Sequence, residues 1–153
     1  MKPKLEMHAE IYSKEIVCEE NHRKFILHAN GFKFYKIKID SDVEINTENK
    51  KCDFLVIKQE KEDIEIFIEL KGKKIKYAFN QIIESYQKYS NKSKNPKLYA
   101  AIVTSENRKP NKDTLIQNKK KELAKIFKSN IFVKNNNLEV KYNFDNNAIE
   151  KVN

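Results

Sequence analysis

The segment Leu98–Thr104, LYAAIVT, restricts the architecture more than any other part of the chain. It is an unbroken apolar run of strand length, and such a strand needs cover on both faces. Layers must therefore lie above and below one sheet. Upstream, Ile64–Lys71 (IEIFIELK) alternates cleanly, so Ile64, Ile66, Ile68 and Leu70 point to one face and Glu65, Phe67, Glu69 and Lys71 to the other. From Lys76 to about Tyr89 the period changes, and Ala78, Ile82, Tyr86 and Tyr89, with Phe79 and Ile83 beside them, form a helical stripe. A second helix is predicted over Thr114–Lys128 from Leu115, Leu123, Ile126 and Phe127. This order predicts a single α/β domain with a central mixed β-sheet flanked by helices.

Only two glycines and three prolines punctuate the chain, so turns are read from Asn, Asp and charge clusters. FKFYKIKI (Phe32–Ile39) and CDFLVIK (Cys52–Lys58) read as strands, and QEKED as the charged turn before Ile64. Asn30-Gly31 is a hairpin signal between two extended runs. Residues 9–29 fit either of two structures: Ile11, Glu15, Cys18 and His22 share a face in a helix, while RKFILHA also reads as a strand. Near the C-terminal end, IFVK and LEVKY, split by three asparagines, predict a terminal hairpin.

With 153 residues, 35% charged and 39% apolar, the chain supports one modest core. No run approaches the roughly 18 apolar residues of a membrane span, and the opening MKPKLEMHAE lacks the apolar stretch of a secretory signal. A soluble, cytoplasmic protein is expected. Cys18 and Cys52 form no CxxC and do not cluster in sequence with His8, His22 or His28, which argues for reduced thiols rather than a zinc site.

The net charge of +9 is unevenly placed: residues 1–70 carry 12 basic against 15 acidic side chains, and residues 71–153 carry 19 against 7. A basic half attracts polyanions through counterion release, although lysine and asparagine richness also follows from AT-rich coding. Lys73, Lys74 and Lys76, with Arg108, Lys109 and Lys112, are the candidate phosphate contacts. Lys119–Lys121 reads as a solvated helix face. Tyr86 and Tyr89 fit a core, and stacking on bases is the alternative.

If the turn between the Cys52 and Ile64 strands centres near Lys61, Asp53 lies opposite Glu69 and Lys71 follows on the same face. Directly opposed residues have Cβ atoms about 4.5–5.5 Å apart. Two carboxylates so placed repel and raise one another's pKa unless a cation separates them. Mg²⁺ suits such a pair, since it takes oxygen ligands and leaves room for water and phosphate. Lys71 is then placed to act on a water and to stabilise charge on a phosphate. Without a metal, Glu69 and Lys71 would be a solvated strand end with a cross-strand ion pair.

Asp53, fifteen intervening residues and then Glu69-Leu70-Lys71 resemble the motif of the PD-(D/E)XK nuclease superfamily, whose fold is the restriction-endonuclease-like core. Cys52 stands where the family usually has proline. The order of elements over roughly residues 15–134 resembles the same core. The resemblance implies that Asp53 and Glu69 bind the metal, that the Leu70 carbonyl adds a ligand, and that Lys71 assists the water. Gln81 sits where some members carry a helix glutamine. A helix-borne acid before the sheet is common in the family, for which Glu15, Glu19 and Glu20 are candidates, and Asp40, at the end of the first predicted strand, is another possible acid. The activity implied by the resemblance is that of a Mg²⁺- or Mn²⁺-dependent endonuclease acting on DNA, with RNA also compatible, in restriction, antiviral defence or repair. A homodimer or a partner protein fits such an enzyme. The alternatives are a catalytically silent member that binds nucleic acid or protein, a purely electrostatic nucleic-acid module, and a small interaction protein.

Overall fold

The double cover demanded by Leu98–Thr104 is met by two different kinds of layer. In the computed structural model the described residues are 1–40, 42–44, 51–70, 75–105 and 114–152, with only the backbone for Lys76 and 114–116. Among them the elements run α1 (Pro3–Glu6), β1 (Ala9–Tyr12), β2 (Glu15–Glu20), β3 (Arg23–His28), β4 (Phe34–Lys38), β5 (Phe54–Lys58), β6 (Ile64–Leu70), α2 (Ile75–Tyr89), β7 (Lys97–Thr104), α3 (Thr114–Phe127), β8 (Ile131–Asn135), β9 (Asn137–Asn143) and β10 (Ala148–Lys151). A six-stranded sheet has the order β1-β4-β5-β6-β7-β8, and a four-stranded sheet the order β10-β9-β3-β2. Strands β4, β5 and β6 form an antiparallel meander, to which β7 and β8 add in parallel. The fold is mixed α/β with a central mixed sheet, as expected from the sequence.

The alternation on β6 separates two cores. Phe67 joins Ala100 and Ile102 of β7 against Ala78 and Ile82 of α2 and Phe127 of α3. On the reverse face, Ile66 and Ile68 join Tyr99 and Val103 against Phe25 of β3 and Val140 of β9. Burying one such side chain contributes roughly 1.5–3 kcal/mol, against about 0–1 kcal/mol for an exposed ion pair, so these two interfaces dominate stability. No helix among the described residues is long and apolar enough to cross a membrane.

One open choice is settled and two local expectations are corrected. Of the two structures open to residues 9–29 the chain takes the extended one, as β1, β2 and β3 joined by short turns, because Ile16, Cys18, Phe25 and Leu27 bury one period-2 face against the central sheet. Asn30-Gly31 does not close a hairpin: β3 and β4 lie in different sheets, and the left-handed pair (φ 54° and 91°) carries the chain from one to the other. The two-residue turn is instead Asn21-His22, at φ 50° and 64°, which sets Glu20 opposite Arg23. Positive φ at both central residues is what the tightest hairpin turn requires. The predicted terminal hairpin is also replaced by a crossing, since β8 pairs with β7 and β9 pairs with β3, both in parallel. At the crossing, the Asn136 N–H donates to the Thr104 carbonyl at 2.7 Å and its carbonyl accepts from the Lys24 N–H at 2.8 Å. One residue thus ties the two sheets together.

Candidate functional site

The β5–β6 register is the one expected, with Phe54 opposite Ile68 and Leu55 opposite Phe67. One step beyond the last ladder pair, Asp53 and Glu69 exchange hydrogen bonds in an unexpected way. Glu69 Oε1 accepts from the Asp53 N–H at 3.1 Å, and Asp53 Oδ2 accepts from the Leu70 N–H at 2.7 Å. Each carboxylate therefore caps the backbone of the opposite strand. Both are buried, with 7% and 2% of their surface exposed, so neither is a solvated strand end.

Helix α2 supports this strand end twice. The Gln81 amide nitrogen, in the orientation that its neighbouring acceptors demand, donates to Glu69 Oε2 at 3.0 Å and to the Tyr77 carbonyl at 3.2 Å. Ser85 Oγ accepts from the Cys52 N–H at 2.7 Å while donating to the Gln81 carbonyl at 2.6 Å. Proline has no N–H and could not make the first of these bonds. The absence of proline at position 52 thus has a local reason: a backbone N–H there lets Ser85 fix the residue next to Asp53.

Of the four candidate additional acids, the fold selects two. Glu20, at the end of β2, and Asp40, after β4, each offer a carboxylate oxygen, and together with one from Asp53 these lie within 4.8 Å of one another. Glu15 instead faces His28 at 3.7 Å, and Glu19 faces Lys24 at 3.4 Å. Burial pushes the Asp53 carboxyl up to about 7; the Leu70 N–H pulls it back, and the charge of Glu20 adds to the rise. Glu20 Oε2 is buried and has no hydrogen-bond partner among the described residues. Leaving such an oxygen unsatisfied costs about 1–3 kcal/mol.

The Leu70 carbonyl accepts from Arg23 Nε at 3.1 Å. A carbonyl oxygen has two lone pairs, so one remains for another partner. Sequence reasoning missed Arg23, although it is one of only two arginines in a lysine-rich chain and follows Glu20 across a two-residue turn. Lys71, Lys73, Lys74, Arg108, Lys109 and Lys112 lie outside the described residues, as does the side chain of Lys76 in the first turn of α2. The two tyrosines are structural: Tyr89 is buried with its hydroxyl on Glu44, and Tyr86 packs edge-on against Phe67 and Phe127. No protein-family model, curated protein or solved structure matches the chain.

Proposed function

We propose that this protein is a metal-dependent nuclease that hydrolyses phosphodiester bonds of DNA, with a role in restriction, antiviral defence or repair. The observation that carries the reading is the meeting of Glu20, Asp40 and Asp53 within 4.8 Å at the strand end where Glu69 is also held. The end of β2, the end of β4 and the start of β5 converge there. The donors are all carboxylate oxygens, which suits Mg²⁺ or Mn²⁺, and the partnerless Glu20 Oε2 is an oxygen that a cation would satisfy.

Glu20, Asp40, Asp53 and Glu69 would hold the ion, with the Leu70 carbonyl as a further oxygen. When bound, the ion supplies Lewis-acid polarisation of a phosphoryl oxygen and a water of lowered pKa. The protein's own share is orientation. Gln81 and the Asp53 N–H fix the two oxygens of Glu69, and Ser85 fixes the approach to Asp53. Lys71 follows β6 directly in sequence, and its part in assisting the water rests on the resemblance of the motif.

Incubation with plasmid and oligonucleotide DNA in Mg²⁺ or Mn²⁺ tests the reading. Cleavage is expected in wild type and should fall by at least a factor on the order of 100 in Glu69→Ala. Cleavage that persists unchanged in that variant would sink the assignment. A calorimetric titration in which neither metal binds would move the chain to the silent, binding-only class.

A further inference from the structure

The β2–β3 turn delivers more than an acid to the strand end. Glu20 and Arg23 are paired in register across Asn21-His22, so one hairpin tip carries both an acid and an arginine. Arg23 is half-buried and donates through Nε to the Leu70 carbonyl, on the residue whose N–H is held by Asp53. Carboxylates of Glu20, Asp40, Asp53 and Glu69 surround this strand end, yet Arg23 forms no salt bridge with any described residue. It is clamped to main chain instead.

A guanidinium stays charged at every physiological pH and carries five N–H donors in a rigid fork. Nε uses one, and the other four have no acceptor among the described residues. A planar fork fixed at one corner matches two oxygens of a phosphodiester. A phosphodiester approaching four carboxylates is also repelled unless fixed positive charge offsets them. Among the described residues, Arg23 is the cation bonded directly to the main chain of the site.

We propose that Arg23 is a phosphate-binding residue: held by the Leu70 carbonyl, it grips a phosphodiester of the substrate backbone beside the carboxylates. This rests on the nuclease reading and names the part of the substrate that the β2–β3 turn contacts. A purely structural strap between the two sheets is the competing role, and two substitutions separate them. Arg23→Gln keeps an amide donor for the Leu70 carbonyl without the charge, whereas Arg23→Lys keeps the charge without the fork.

The test is fluorescence anisotropy of a short fluorescein-labelled DNA duplex in Ca²⁺ over a series of KCl concentrations. Mn²⁺ binding without DNA is followed by electron paramagnetic resonance, and folding by thermal melts. Arg23→Gln should weaken DNA binding by about tenfold and flatten the slope of log K against log salt by about 1, with Mn²⁺ affinity within about twofold of wild type. Arg23→Lys should recover only part of the affinity. Wild-type DNA affinity and salt slope in a folded Arg23→Gln protein would overturn the assignment, and so would a wild type that binds no duplex. The two readings fail separately. Duplex binding that depends on Arg23, in a protein that holds no Mn²⁺ and cuts nothing, removes the nuclease reading alone. Undiminished binding and cutting in Arg23→Gln remove the Arg23 assignment alone.

Discussion

Glu65 and Glu69 stand on the same face of β6, are equally buried at 1% and 2% exposed, and each accepts from two protein donors, yet what gathers beside them differs. Glu65 is closed by the fold: Ser90 Oγ donates to it at 2.6 Å and the Asn91 N–H at 2.9 Å. Near that end of the hairpin, Lys58 reaches Asp63 at 3.1 Å and Asn147 at 2.9 Å, while Asn147 Nδ2 returns to Asp63 at 3.0 Å. Each charge there ends on a protein partner. At the Glu69 end four carboxylates gather, and one buried oxygen is left over. The contrast teaches how to tell a polar network that completes a fold from one that accommodates a ligand. Burial is the same in both, and only the balance of donors and acceptors differs.

Breaking the closed end should have the larger effect on stability. Lys58→Ala leaves Asp63 without its ion-pair partner in a part-buried setting, and a loss of about 3 kcal/mol is expected from a urea midpoint at unchanged m-value. Mn²⁺ affinity per folded molecule should not move. A midpoint equal to wild type would mean that the two ends are energetically alike.

The open end should respond with the opposite sign. Because the folded Asp53 pKa is raised, the native state keeps a proton that the unfolded chain has already released between about pH 4 and 7. The stability that this proton contributes is fully present below the unfolded pKa and is lost as pH rises through 7. Asp53→Asn keeps an oxygen acceptor for the Leu70 N–H without the charge. In EDTA at pH 8 it should be more stable than wild type by about 1–2 kcal/mol, with the gap closing towards pH 4. Thermal melts across that range check it, and a variant less stable than wild type at pH 8 would contradict the account.

Between the ends, Ser85→Ala removes both the acceptor for the Cys52 N–H and the donor to the Gln81 carbonyl. About 1 kcal/mol of stability should be lost. Mn²⁺ affinity, measured by titration, should weaken severalfold because Asp53 loses its neighbouring anchor. An unchanged affinity would place Ser85 wholly within the scaffold.

The legible part of this molecule was the part whose partners are close in sequence. Alternation on Ile64–Leu70 and a short charged turn were enough to pair Phe54 with Ile68, and from that pairing Asp53 and Glu69 followed. The second sheet was illegible as a sheet because the pairing that joins its two hairpins is remote: His28 meets Glu139 across 111 positions, and no periodicity within β3 or β9 reports that. Asn30-Gly31 illustrates a subtler failure. Its backbone does adopt left-handed conformations, as the dipeptide suggests, but the chain uses them to change sheets rather than to reverse within one. For the same reason the sequence could name four acids but not choose Glu20 and Asp40, since the choice is made by where the β2–β3 turn lands.

That landing also sets an order of events. Strand β3 lies between β2 and β9, pairing with residues 137–141 on its far side. As the chain is synthesised, the β5–β6 hairpin can present Asp53 and Glu69 early, from local contacts alone. The turn that carries Glu20 and Arg23 gains its second neighbouring strand only when residues 137–141 have been made. Pairings across such separations close slowly compared with local hairpins. The hairpin that carries Glu20 and Arg23 is thus flanked on its far side only by a much later segment, and a growing chain carries Asp53 and Glu69 well before it carries that flank.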